Sequence, residues 1–266
     1  MSPAIDLAVH VRHRLVLTYA WPRELLEPMI PVGLEPATYG ALGFVAVALV
    51  HAERVRPSPL PQRVGGPCDL VGYRVLVRRR DARGRTLQGS SPLRGDADGG
   101  SIVRLGCLLT GGRYRKADIE FDERPGVLEI LARTADEAAD VHVVADLTSR
   151  PAPLPHGSPF LSLQEARRFG VAASRFHLAD ASEGIAVAAS PARDAESISV
   201  DVRRLAFFDQ PPFDLRAPTL ACAFHDADVE YIWERARNGS AMRTGLRRRR
   251  AARRWSPRPG AIPTPP

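Results

Sequence analysis

No apolar run in this chain is longer than the ten residues 41–50, and Gly43 interrupts that one. A membrane-spanning helix needs about 20 apolar residues, so no helical span is expected. Cysteine is scarce. Cys68, Cys107 and Cys222 lie far apart and are odd in number. That excludes a disulfide framework and a zinc-type spacing, and it points to a reducing, cytoplasmic compartment. Lysine is almost missing: of 37 basic residues only Lys116 is not arginine. Also absent are a phosphate-binding loop, a dinucleotide glycine fingerprint, a nucleophile elbow and a His-Glu-x-x-His pair, so neither a cofactor nor a metal is expected. Before any long apolar stretch come Asp6, His10, Arg12, His13 and Arg14, which is not a signal-peptide pattern.

What is present is ordinary globular composition, 44% hydrophobic and 25% charged, which excludes wholesale disorder. The formal charge of +7 invites a nucleic-acid reading, but it is concentrated at one end. Residues 240–266 hold eight arginines and no acid, and without them residues 1–239 carry −1. The sequence therefore divides into a nearly neutral folded domain, 1–239, and an Arg/Pro-rich tail, 240–266. With five prolines and few large apolar side chains, the tail reads as disordered in isolation. It is either a solvated appendage of GC-rich coding or a weak, salt-sensitive contact for nucleic acid or an anionic surface, made by the arginines from Arg247 to Arg254.

The body reads as strands. Along residues 9–19 the apolar side chains fall mostly at odd positions, with His10, Arg12 and Arg14 between them. This period of two gives one buried face and sets His10 and His13 on opposite sides. Residues 41–50 are apolar on both faces, as in a fully covered strand. Residues 70–77 alternate, and the turn at Asp81-Ala82-Arg83-Gly84 makes a hairpin with the next strand. Residues 101–109 fit either strand or helix. Further strand patterns lie at 114–122, 127–133, 141–147, 174–179, 184–189, 197–208 and 219–223, with a short strand or helix at 228–237. Pro22 opens a short helix near 22–29, and Ser162-Leu163-Gln164-Glu165 is a capping box for another near 162–169. Many short strands without long helices exclude a doubly wound parallel sheet. The expectation is a mainly β, antiparallel barrel with a few short helices, whose interior is the place to look for function.

Lys116 is the first chemical candidate. A lysine attacks a carbonyl only when neutral, and burial or a neighbouring cation such as Arg115 promotes that state. Alternation gives two outcomes. Lys116 shares a face with Tyr114, Asp118 and Glu120, while Arg115 shares the other with Ala117, Ile119 and Phe121. If the second face is the core, Lys116 points to solvent. Arg94, Asp96 and Asp98 form a second cluster: an acid–base pair or a cation site made by the two aspartates, or an acidic turn paired to Arg94. Tyr73 and Arg74 face opposite sides of one strand, so one of them lines the cavity and offers a donor to an anionic ligand. Tyr114 joins them as a ligand-contact candidate.

Several blocks taken together resemble a bacterial family of unknown function placed in the acetoacetate decarboxylase-like superfamily. They are Leu25-Leu26-Glu27-Pro28-Met29-Ile30-Pro31-Val32-Gly33-Leu34, Gly72-Tyr73-Arg74-Val75, Arg94-Gly95-Asp96-Ala97-Asp98 and Leu105-Gly106-Cys107-Leu108-Leu109-Thr110 with Tyr114-Arg115. Phe207-Phe208-Asp209-Gln210-Pro211-Pro212-Phe213 and Tyr231-Ile232-Trp233-Glu234-Arg235 close the set, which spans about residues 13–237. The resemblance implies a β-barrel or cone. The decarboxylase forms a Schiff base on the first lysine of a Phe-Pro-Lys-Lys motif, and Tyr114-Arg115-Lys116-Ala117 falls in a similar place. Here the Pro and second Lys of that motif are missing, the strand at 72–77 lacks the decarboxylase's glutamate, and Cys107 and Gly111 replace the Asn and His common in the family block before Tyr114. Two functions follow for the barrel: a small carbonyl or carboxylate compound bound in the cavity and transformed through Lys116, or a non-catalytic binding or sensor module on the same scaffold.

Overall fold

The computed structural model describes residues 7–58, 60, 61, 65–80, 84, 86–98, 114–170, 176–178, 184–189 and 195–236. The ambiguous segment 101–109 and the tail 240–266 lie outside them. Among the described residues thirteen strands form one mixed sheet. They are β1 (Leu7–Pro22), β2 (Glu35–Pro36), β3 (Leu42–Pro57), β4 (Gly66–Arg80), β5 (Thr86–Ala97), β6 (Tyr114–Arg124), β7 (Val127–Thr134), β8 (Val141–Asp146), β9 (Phe176–Leu178), β10 (Gly184–Ala189), β11 (Glu196–Ser197), β12 (Ser199–Leu205) and β13 (Thr219–Ala236). The helices are short, α1 (Arg23–Leu26) and α2 (Leu163–Gly170). The Ser162 hydroxyl accepts the Glu165 N–H at 3.2 Å, half of the expected capping box. The Glu165 carboxylate instead accepts the Leu161 N–H at 3.0 Å. Among the described residues no helix is long and apolar enough to cross a membrane.

Pairing closes seven strands into a ring: β1–β3–β4–β5–β9–β10–β13 and back to β1. The seam is narrow, a single parallel bridge between Ser90 and His177. β6 leaves the ring at the same strand, pairing in parallel with β5 from Gly95 to Ala97 before joining β7, β8 and β12 in an outer layer. The barrel is thus mixed rather than purely antiparallel. Both parallel contacts are made by β5, the first within the ring and the second at the strand's end.

Alternation decides which residues fill which space. On β1, Leu15, Leu17, Tyr19 and Trp21 pack with Val45, Val47, Tyr73 and Val75 against Ile130, Val143 and Phe208 of the outer layer. The opposite face lies inside the ring. At one end Val16, Phe44, Ala46, Leu76, Cys222 and Phe224 pack with Phe160 and Ala166 of the α2 region. At the other end Leu7, Val9, Val11, Ala52, Cys68 and Val229 form a second apolar plug, bordered by Tyr231. Between the ends Arg12 has no registered partner on β13, and opposite it Asp228 adopts φ 56°. One extra residue on each strand resets the alternation, so Val11 and Arg14 share the inner face. The same reset carries both His10 and His13 to the outer face, where strict alternation would have separated them.

Candidate functional site

The two apolar plugs leave a polar belt across the middle of the ring, made by Arg14, Asp226, Tyr231, Arg74 and Tyr114. Register places Arg14 of β1 opposite Asp226 of β13. Arg14 Nε donates to both Asp226 oxygens at 3.1 Å, and a terminal nitrogen makes a further short contact. Tyr231 donates its hydroxyl to the same carboxylate at 2.9 Å, and its ring lies 4.9 Å beneath the Arg14 guanidinium. The side chains of Arg14 and Asp226 are 13% and 4% exposed. Burial opposes the charge on Arg14, but Asp226 and Tyr231 outweigh it and its pKa is raised. Burial likewise raises that of Tyr231, so its hydroxyl stays protonated and donates.

Arg74 and Tyr114 occupy the opposite wall on a floor made by glycine. Gly72 of β4 pairs directly with Gly95 of β5, and Gly95 pairs in turn with Tyr114. A side chain at Gly72 would meet the Arg74 guanidinium at 3.3 Å, and one at Gly95 would meet the Tyr114 ring at 2.8 Å. The missing Cβ atoms therefore make room for both groups against the sheet. Burial lowers the pKa of Arg74, a hydrogen bond with Tyr114 counteracts it, and Arg14 adds repulsion. Arginine nevertheless remains a cation in a protein.

The other expected site residues sit elsewhere. Tyr73 is fully buried in the outer layer, stacked on Phe207 with ring centroids 4.2 Å apart. It donates to the Ala139 carbonyl at 3.3 Å. So of the two neighbours it is Arg74 that faces the barrel. Arg94 and Asp96 form an ion pair at 2.9 Å, also outside the ring, with side chains 9% and 1% exposed. Arg94 and Arg115 both reach Asp136, at 2.9 and 2.7 Å. Burial works against the charge on Arg94, but its hydrogen bonds to Asp96 and Asp136 raise its pKa. Those contacts saturate the pair and make it a structural clamp between β5 and the β7–β8 turn. Asp98 follows β5, its N–H donating to the Asp69 carbonyl at 3.0 Å. Among the described residues no cluster suited to a metal ion occurs.

Lys116 takes the solvent-facing outcome. Ala117 and Ile119 are buried in the core between ring and outer layer, while Lys116, Asp118 and Glu120 are exposed. Neither Arg14 nor the Asp226–Tyr231 pair stood out in the sequence. Arg14 lay on the polar side of an alternating strand, and Asp226 fell in the gap between the strand expected at 219–223 and the short strand or helix expected at 228–237, which are in fact one 18-residue strand.

The DUF2071 family model, described as an uncharacterized conserved protein, matches residues 9–181. The blocks at 207–213 and 231–235 lie beyond that match. No curated protein matches the chain. Among solved structures, acetoacetate decarboxylase from Legionella pneumophila is similar at 14% identity over 90% of both chains, with a TM-score of 0.58. An acetoacetate decarboxylase-like enzyme from Sphingomonas wittichii RW1 is similar at 14% identity over 89% of this chain and 95% of that one, with a TM-score of 0.55. The enduracididine biosynthesis enzyme MppR, complexed with pyruvate, is similar at 12% identity over 88% of both chains, with a TM-score of 0.53. These likenesses establish a shared acetoacetate decarboxylase-like fold. With its family model spanning well over half its length, the chain belongs to the DUF2071 family.

Proposed function

We propose that the barrel binds a small carboxylate-bearing carbonyl compound, with Arg74 as the carboxylate anchor and Tyr114 beside it. The observation that carries this reading is the Arg74 guanidinium laid over Gly72 inside the ring, between two apolar plugs. A cation held in such surroundings has lost hydration and gains strongly from a planar anion that it can grip with two parallel hydrogen bonds. Arg14 is already neutralised by Asp226, so it frames the belt. MppR, which shares the fold, was solved with pyruvate bound, and that supports a keto acid as the ligand class.

Binding rather than Schiff-base chemistry is the better reading. Imine formation needs a neutral amine, and the usual device is burial. Lys116 has no such shelter and stands beside two exposed carboxylates. Calorimetric titration with pyruvate, acetoacetate and uncharged methyl pyruvate tests the reading. The acids bind saturably, the ester does not, and Arg74→Met weakens the acids at least tenfold, as loss of a desolvated charged hydrogen bond should. Equal binding of acid and ester, or unchanged binding by Arg74→Met, would refute it. Borohydride with pyruvate adds no mass to the protein; a covalent adduct at Lys116 would restore the lyase reading.

A further inference from the structure

Outside the ring, between β1, β13 and β6, three side chains form one hydrogen-bonded row. His13 Nε2 lies 3.1 Å from Glu123 Oε2, and His13 Nδ1 lies 3.1 Å from His225 Nε2. A carboxylate only accepts, so His13 donates from Nε2. A neutral His13 must then accept at Nδ1, and His225 donates from Nε2. The lone pair on His225 Nδ1 is left over. That atom is buried and, among the described residues, has no hydrogen-bond partner. Arg150 Nε is buried and without a partner in the same way, and the charge of Arg150 acts on His225. The Arg150 loop is pinned here by two bonds. Ala152 N–H donates to the Ser197 carbonyl at 3.0 Å, and the Ser197 hydroxyl donates to the Ala152 carbonyl at 2.7 Å. Ser197 lies on β11, which pairs with β13 at His225.

A buried acceptor without a donor stands near a buried cationic donor without an acceptor. Native proteins rarely leave such groups unsatisfied. We propose that His225 and Arg150 bind a small oxyanion, taken up together with one proton from solvent. Arg150 Nε–H donates to one oxygen of the anion. The proton settles on His225 Nδ1, which then donates to another. The imidazolium is supported along the row, because His13 relays the polarisation to the Glu123 carboxylate. No covalent bond changes.

The surrounding charges leave room for an external anion. On β1, Arg12 is paired to Asp228 at 2.8 Å, and Arg14 to Asp226, both on β13. On β3, His51 is paired at 2.6 Å to Asp69 of β4. Glu123 of β6 is engaged by His13 and, at 3.2 Å, by Arg12. Glu196 of β11 pairs with His225 in the strand ladder and is exposed. Arg150 has no carboxylate partner among the described residues. Burial holds empty His225 neutral, with a pKa pushed down to about 3, so binding carries the proton in.

Sulfate is the probe, because its charge is constant over the range used. Histidine ring resonances of the full chain are followed during sulfate titrations from pH 7.5 to 5.5. The His225 signal shifts saturably, and affinity tightens about tenfold per pH unit lowered, as one linked proton requires. Arg150→Gln, a substitution in a half-buried loop residue, loses at least tenfold in affinity. Arg74→Met leaves the response of His225 unchanged. Absence of a saturable shift, affinity independent of pH, or undiminished binding by Arg150→Gln would overturn the proposal in favour of a buried water. Loss of the response in Arg74→Met would place the sulfate in the barrel and overturn it equally.

Discussion

Replacing Gly95 by alanine tests the glycine floor beneath the polar belt. A Cβ there comes within 2.8 Å of two carbons of the Tyr114 ring, where about 3.5–4.0 Å is comfortable. The ring is rigid and must move by roughly 1 Å as a unit. Overpacking of that kind costs about 1–3 kcal/mol. Against it stands the gain of about 0.5–1 kcal/mol from removing glycine from a strand. The difference is a net loss of up to about 2.5 kcal/mol, centred near 1 kcal/mol, and each kcal/mol is about 2–4 °C in Tm for a chain of this size. The displaced ring also takes its hydroxyl away from Arg74, so keto-acid binding weakens alongside stability. A double-mutant cycle isolates the cause. With Tyr114→Ala in place the clash disappears, and Gly95→Ala becomes neutral or stabilising. Gly72→Ala meets only the end of a flexible arginine at 3.3 Å and costs less than Gly95→Ala. Equal cost of Gly95→Ala with and without the tyrosine would show that the ring does not lie on Gly95.

Asp226→Asn strands the buried Arg14 cation and lowers stability by about 3–5 kcal/mol, measured by urea unfolding. Asp118→Asn, in a solvent-exposed pair with Arg133 at 3.6 Å, changes it by less than about 0.5 kcal/mol. Acid should weaken the fold through His225. Its folded pKa lies near 3 and its unfolded value near 6.5, so below pH 6.5 only the unfolded chain gains the proton. Stability then falls by about 2 kcal/mol between pH 6.5 and pH 5, sulfate offsets part of the loss, and His225→Gln flattens the slope. His51 acts in the opposite sense. Its hydrogen bond to Asp69 raises its pKa, so its contribution is complete below the unfolded value and fades as pH rises through the folded one; Asp69→Asn removes that alkaline loss. Deleting residues 240–266 should leave Tm within about a degree and remove salt-sensitive retention on heparin.

Strand periodicity made the architecture legible because β1, β3 and β4 each bury one face in the barrel and the other under the outer strands. Residues 41–50 showed this most plainly, and β3 is covered on both faces. What periodicity could not supply was the reset at Arg12 and Asp228. One extra residue on each strand moved His13 to the outer face and Arg14 inward, and a strict period of two misplaces both. The middle of β13 was hidden for a related reason. Its His225 and Asp226 are polar yet buried on opposite faces, each hydrogen-bonded to a partner more than 200 residues away in sequence. Arg74 was visible as one of two candidates, and only packing of Tyr73 on Phe207 decided between them. Lys116 drew attention as the single lysine, but the placement of Ala117 and Ile119 in the core turned it outward.

The most direct test of the central claim is a crystal structure of the full chain grown with pyruvate. The expected result is the carboxylate inside the seven-stranded ring, both oxygens within hydrogen-bonding distance of the Arg74 guanidinium and the Tyr114 hydroxyl alongside. A barrel that stays empty at saturating pyruvate would contradict it, as would pyruvate bound in the outer layer or joined to Lys116.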